Sequence, residues 1–379
     1  MLGFFRDNAI DQVYAYEMLQ KFAVGLIGIF IPVYIAAEGS PLSWVFIYLF
    51  GYTAVFALSS IGISYVIARI GFKHSLVLSY VFYLPAFVLL RVATLSPELI
   101  MSVAGLVGIG KALHWIPLHA EFAVDSEHST REKASSRILG LPRLSKAAAP
   151  FIGGVVMAAF GFHALVAVAL FFFILSAVPL FASGDHRDPL DWDFLGMLDR
   201  RHVKYGSLFF LRGVTITTGV FLFPLYVFFI IGGSINVGGV SSMASVGSTA
   251  FALMVGRVSS RVEASHMIKI GAVASAVMFA VRAFVQASME AFLVSFGAGL
   301  LFMVYYVPLF SRLADAAEDE DVLEFYAFRE FCLGLGKVAA LAVAFFFALE
   351  TSLATGLRVS FYFAAGAAAL IALYADGLT

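Results

Sequence analysis

Long apolar runs alternate with short polar breaks along the whole chain. A helix needs about 20 mostly apolar residues to cross a bilayer. Runs of that kind fall at 14–37, 42–70, 74–95, 98–123, 134–160, 162–183, 205–232, 236–262, 266–288, 289–315, 325–351 and 355–376. The pattern predicts an all-α integral membrane protein with about twelve spanning helices. The breaks alternate in character. EGSPL (38–42), LSPE (95–98), FGFH (160–163), GGSINVGG (232–239) and QASME (286–290) hold no Lys or Arg. The other set holds Arg69 and Lys73; Arg131, Lys133 and Arg137; Arg187, Arg200, Arg201 and Lys204; Arg257, Arg261 and Lys269. Cations gather in cytoplasmic loops, so this set reads as cytoplasmic, and both termini with it. Arg91, Arg282 and Arg358 lie near the opposite helix ends, where snorkelling to the outer interface is the expectation.

The segment 184–204, GDHRDPLDWDFLGMLDRRHVK, is the longest polar stretch. It reads as a cytoplasmic linker with a short interfacial helix around Trp192 to Leu198. It divides the chain into an N-terminal six-helix half (1–183) and a C-terminal six-helix half (205–379). The halves repeat each other. GIFIPVY at 28–34 answers GVFLFPLY at 219–226, with Pro32 matching Pro224 at an offset of 224 − 32 = 192. Arg69 and His74 match Arg261 and His266 at the same offset. Trp115-Ile-Pro117-Leu118 matches Tyr306-Val-Pro308-Leu309 at 306 − 115 = 191. Arg137 pairs with Arg329 (192) and Lys146 with Lys337 (191). An even number of spans per half puts both copies in the same orientation, a plan in which one half rocks against the other around a midplane site.

Composition excludes a soluble domain. The chain of 379 residues is 61% hydrophobic and 13% charged, with a mean hydropathy of +0.94, more apolar surface than water-facing groups can cover. The net charge of −1 points to no nucleic-acid partner. One cysteine, Cys332, allows no intrachain disulfide. Residues 1–12 are too polar for the apolar core of a cleavable signal peptide. The multi-pass pattern implies a cell (inner or plasma) membrane, with the lipid bilayer as a partner and a monomer as the working unit. No HExxH, paired aspartates or Gly-rich phosphate loop is present, so no metal, cofactor or enzymatic reaction is expected.

Along its whole length the chain resembles a major facilitator superfamily transporter. That family's loop signature between the second and third spans, G-x-x-x-D-R-x-G-R-[RK], is matched in SYVIARIGFK (64–73) at Arg69, Gly71 and Lys73. In the second copy, GRVSSRVEAS (256–265), Gly256 and Arg261 match. Ala68 and Ser260 stand where the family has aspartate. The fifth span holds Pro150-Phe-Ile-Gly153-Gly154, which is similar to the P-x-x-G-G core carried by the family's antiporters; small residues that let helices pack closely are the simpler reading. The resemblance implies alternating access, a central cavity lined by spans 1, 4, 7 and 10, and gating by the signature residues, Pro32, Pro224, Pro150, Gly153 and Gly154.

Ionisable residues inside a span are functional hypotheses by default. Lys111, Lys146, Arg212 and Lys337, with His114, Tyr305 and Tyr306, are the candidates for holding a solute. Glu17, Glu121, His119 and Glu330 are the candidates for proton coupling. Glu17 and Lys21 stand i, i+4 and are equally suited to neutralising each other on one helix face; for His114 and His119, hydrogen-bonded packing is the simpler reading. The chain reads as an alternating-access transporter of a small organic solute; cations outnumber anions among the deep charges, and an anionic solute, lipid headgroups or water could each supply the counter-charge. Proton-coupled efflux of amphipathic compounds and a lipid flippase on the same fold remain the alternatives.

Overall fold

The computed structural model of the protein describes residues 9–125, 147–182, 199, 202–258, 262–318 and 320–376. Residues 184–198, 200 and 201 of the linker, Lys146 and Arg261 lie outside them. The N-terminal half comprises α1 (Ala9–Ile27), α2 (Phe30–Ala37), α3 (Leu42–Ile70), α4 (Phe72–Leu89), α5 (Pro97–Asp125), α6 (Ala147–Phe160) and α7 (Phe162–Ser176). The C-terminal half comprises α8 (Val203–Thr217), α9 (Phe223–Ile230), α10 (Ser234–Val258), α11 (Ala264–Arg282), α12 (Ser288–Glu318), α13 (Val322–Glu350) and α14 (Leu353–Ile371). Ten described segments are long and apolar enough to cross a membrane, α1–α2 and α8–α9 each counting as one. The apolar α6 and the 25-residue α10 complete the expected twelve, since 10 + 2 = 12.

Both first helices of the halves are broken at matching places. The first span breaks between Ile27 and Phe30, and Pro32 becomes the third residue of α2. At that position a missing N–H leaves no helical bond unmade. The seventh span passes through a π-helical turn, Thr218–Leu222, and Pro224 is the second residue of α9. Pro117 and Pro308, also related by the repeat, lie inside the continuous helices α5 and α12.

Packing repeats as well. α3 and α4 lie on α5 as α10 and α11 lie on α12, and α1 packs on α7 as α8 packs on α14. Between the halves, α3 runs along α13, while α5 touches α12 and α13, and α2 touches α9 and α10. Large apolar side chains such as Leu58, Phe171, Phe284 and Leu349 are exposed on the outer surface, where hydrocarbon rather than water is the solvent. We call the end carrying the Arg69–Lys73 turn the basic end, and the end carrying the α2–α3 and α9–α10 turns the uncharged end.

Arg282 departs from the snorkelling expectation. It closes α11 near the uncharged end but is only 5% exposed, its guanidinium lying 4.7 Å from the Phe223 ring and 4.6 Å from the Phe279 ring. Two rings hold the side chain inside the bundle.

Candidate functional site

A buried polar cluster joins α1 to α5. Glu17 is fully buried and pairs with Lys21 one turn along, as the i, i+4 spacing predicts. His114 of α5 brings Nε2 within 3.2 Å of the Glu17 carboxylate. That contact is off-axis: close enough for attraction, not aligned as a hydrogen bond. Its other nitrogen, Nδ1, lies 2.6 Å from the Tyr16 hydroxyl. The neutral tautomer protonated at Nε2 suits both sides, accepting from Tyr16 and turning its N–H toward the carboxylate. His114 is therefore a bridge between Tyr16 and Glu17 and not a packing residue alone. The Lys21 ammonium also lies 5.1 Å from the centre of the Trp115 ring.

A second cluster straddles the halves. Lys111 of α5 stands 4.7 Å from the centre of the Tyr52 ring and 3.5 Å from its hydroxyl. Lys337 of α13 lies 4.5 Å from the Phe56 ring, one turn along α3 from Tyr52. Glu330 is near enough to attract both lysines and sits 3.3 Å from Arg329. Three cations thus share one carboxylate. His119 lies between the Trp115 and Tyr326 rings, at 5.3 and 5.6 Å, and its Nδ1 has no hydrogen-bond partner.

Arg212 forms a third cluster on α8. It is 5% exposed and donates to the Tyr305 hydroxyl at 2.6 Å. Its guanidinium lies 4.1 Å from the Tyr306 ring, 5.0 Å from Phe302 and 5.5 Å from Tyr305. Cations on ring faces gain most when desolvated. The repeat relates this cluster to the first. Trp115 corresponds to Tyr306 and His114 to Tyr305 at offset 191, and Lys21 corresponds to Arg212, since 21 + 191 = 212. Both halves therefore hold one cation over one aromatic ring between equivalent helices. They differ in the anion: position 17 + 191 = 208 is Leu208. Lys21 has a carboxylate and Arg212 has none among the described residues.

The sequence-derived set thus divides. Lys111, Lys337 and Glu330 come together across the halves; Arg212, Tyr305 and Tyr306 form a second box, joined to the first where Tyr306 meets Arg329; Glu17 and His114 form a third group. The side chain of Glu121 lies outside the described residues, as does Lys146. Tyr16, Tyr52, Trp115 and Arg329 complete the clusters, and of these Trp115 and Arg329 carried a signal in the sequence, through the repeat.

The gating candidates have clear local reasons. Gly71 alone separates α3 from α4, with φ 96° and ψ 162°, a conformation open to glycine and strained for other residues. Arg69 is exposed and folds back onto Tyr65, whereas Lys73 is buried. Gly256 lies within α10. In α6, Gly153 lies against the Leu26 carbonyl of α1, too close for any side chain. Gly154 faces the other half, where Ser234 of α10 donates to the Gly154 carbonyl at 2.9 Å. The Phe151 amide, next to Pro150, donates to Ser242 at 3.0 Å. The P-x-x-G-G stretch is therefore a seam between the halves near the uncharged end.

No family profile matches the chain, and no curated protein sequence matches it. Solved structures do. The human organic anion transporter MFSD10 (TETRAN) superposes with a TM-score of 0.70 at 13% identity, over 97% of this chain and 98% of that one. A variant of the E. coli fucose:proton symporter FucP gives 0.68 at 12% identity, over 97% and 98% of the two chains. FucP in its outward conformation gives 0.69 at 11% identity, over 98% and 99%. With the doubled six-span packing, this likeness makes the chain a multi-pass membrane protein with the major facilitator superfamily transporter fold.

Proposed function

We propose that the protein is a secondary transporter that carries a small organic anion by alternating access through the space between its halves. One observation carries the reading: Arg212 is buried, held by rings and one hydroxyl, and among the described residues lacks the carboxylate that its repeat counterpart Lys21 possesses. A buried cation without a counter-charge is costly, and a bound carboxylate would supply one. Lys111 and Lys337 add positive charge from opposite halves, so an anion drawn toward both would favour their approach. The similarity to a human organic anion transporter supports the same solute class. Glu17, bracketed by Lys21 and His114, is the candidate proton-coupling group, and the similarity to a proton symporter supports coupling of that type. Tyr16 would orient the imidazole. In this reading the basic end faces the cytoplasm and the protein works as a monomer in the cell membrane.

The test is uptake into proteoliposomes with an imposed pH gradient and a panel of labelled aromatic and aliphatic carboxylates alongside matched cations and neutral sugars. A carboxylate is expected to accumulate, and Arg212→Gln and Lys111→Gln are each expected to raise its KM by roughly tenfold or more. Transport of cations or sugars alone, or a carboxylate KM indifferent to both substitutions, overturns the anion assignment.

A further inference from the structure

Away from the three clusters, near the uncharged end of the C-terminal half, two arginines lie over a pair of stacked rings. Phe223 and Tyr226 of α9 are nearly parallel, with centroids 6.4 Å apart and planes at 14°. Arg282 lies over Phe223, and Arg358 of α14 lies 5.8 Å from the Tyr226 ring. The Arg282 Nε and Nη1 atoms are sealed from solvent and have no hydrogen-bond partner. Among the described residues Arg358 reaches only the Tyr226 hydroxyl, through Nε at 3.4 Å and Nη2 at 3.3 Å. That hydroxyl already donates to the Val285 carbonyl at 3.0 Å. Of the acids in helices and turns at this end, Glu38, Glu98, Glu290 and Glu350 are exposed, and none of them pairs with either arginine. The backbone beside Arg282 is bare: a Cβ on Gly219, inside the π-helical turn, would lie 3.3 Å from Nη1. Thr218, the preceding residue, has a buried hydroxyl without a partner.

A guanidinium presents planar, paired donors that match the oxygens of a carboxylate or phosphate. Rings offset part of its charge and satisfy none of its N–H groups. We propose that Arg282 and Arg358, with the Phe223 and Tyr226 rings, form a second anion site that takes a single oxyanion, carboxylate or phosphate, between α9, α11 and α14. The closed Nε and Nη1 atoms become reachable when the π-helical turn beside Gly219 shifts, since that turn is where the seventh span has conformational slack. The oxyanion has two possible sources, a water-soluble anion and the headgroup of an anionic phospholipid. The site is independent of the central clusters and stands or falls apart from the transport reading.

The experiment measures thermal stabilisation of the purified, delipidated protein by benzoate, by inorganic phosphate and by short-chain phosphatidylglycerol, with a zwitterionic short-chain lipid as reference. At least one anionic probe is expected to stabilise saturably, and Arg282→Met or Arg358→Gln is expected to weaken its apparent Kd by roughly tenfold or more. Arg91→Gln, at an exposed arginine of the same end, is expected to leave that Kd unchanged. Stabilisation by benzoate or phosphate assigns the site to a soluble anion; stabilisation by phosphatidylglycerol alone assigns it to a lipid headgroup. Should Arg282→Met not fold, Gly219→Ala, which crowds Nη1, and native mass spectrometry of phosphatidylglycerol retained by the wild type supply the same reading. No saturable anion effect on the wild type, or one that survives both arginine substitutions, overturns the site.

Discussion

Adding one methyl group to Gly154 tests whether the α6–α10 seam is a gate. A Cβ there would lie 2.6 Å from the Ser234 carbonyl oxygen and 3.2 Å from the Ile235 Cα. Ordinary carbon–oxygen contact begins near 3.3 Å, so the backbones must part by roughly 0.7 Å, and backbone, unlike a flexible side chain, cannot swing aside. Overpacking of this kind costs about 1–3 kcal/mol. The cost falls only on conformations in which the seam is closed, so Gly154→Ala shifts the equilibrium about 5-fold to 150-fold toward the state open at the uncharged end. Spin labels at Glu38 and Thr351, both exposed and on opposite halves, report the change by electron–electron double resonance, with Cys332 replaced by serine. Gly271→Ala is the control. Its Cβ would lie 2.7 Å from the Tyr305 amide nitrogen, within one half, so it should lower the melting temperature and leave the distance distribution unaltered. A folded Gly154→Ala protein with the wild-type distance distribution, or a Gly271→Ala protein shifted equally, refutes the reasoning.

Glu17→Gln leaves Lys21 and His114 without their shared carboxylate and should cost about 3–5 kcal/mol, read as a lowered unfolding temperature in detergent, with Glu17→Gln/Lys21→Met recovering much of it; a double variant no more stable than the single one contradicts the pairing. Gly71→Ala forces an alanine to φ 96° and should destabilise by about 1–3 kcal/mol, which equilibrium unfolding would register; a neutral outcome means the α3–α4 turn has another accessible geometry. Tyr305→Phe removes the hydrogen bond that Arg212 donates to its hydroxyl and should cost about 1 kcal/mol, while Arg212→Lys keeps the charge but loses the planar fork and should raise the carboxylate KM roughly tenfold. An Arg212→Lys protein with wild-type uptake kinetics removes Arg212 from the solute site.

The spans, the doubling and the paired prolines were legible because they rest on composition and spacing alone. Burial and partner choice were not. Arg282 and Arg91 look alike in the sequence, each a lone arginine near the end of an apolar run; Arg91 is exposed and Arg282 is enclosed by Phe223 and Phe279. Only the packing of α9 against α11 separates them. The i, i+4 spacing revealed the Glu17–Lys21 pair, but the contact from Tyr16 to His114 spans 98 residues, and no local pattern carries it. The repeat offered more than was first drawn from it: Lys21 over Trp115 and Arg212 over Tyr306 are the same contact made twice.

The π-helical turn has a consequence for how the two copies diverged. From Gly28 to Pro32 is 32 − 28 = 4 residues, whereas from the matching Gly219 to Pro224 is 224 − 219 = 5. The second copy carries one added residue, and the widened turn at Thr218–Leu222 is where the helix absorbs it. In an unbroken α-helix an extra residue would rotate everything beyond it by about 100°. Yet Tyr34 stacks on Phe162 of α7, the last span of its half, and Tyr226 packs on Phe361 of α14, the last span of the other. The five-residue π-helical turn takes up the phase difference, leaving Arg212 below it and Tyr226 above it on the faces that Lys21 and Tyr34 hold in the first copy.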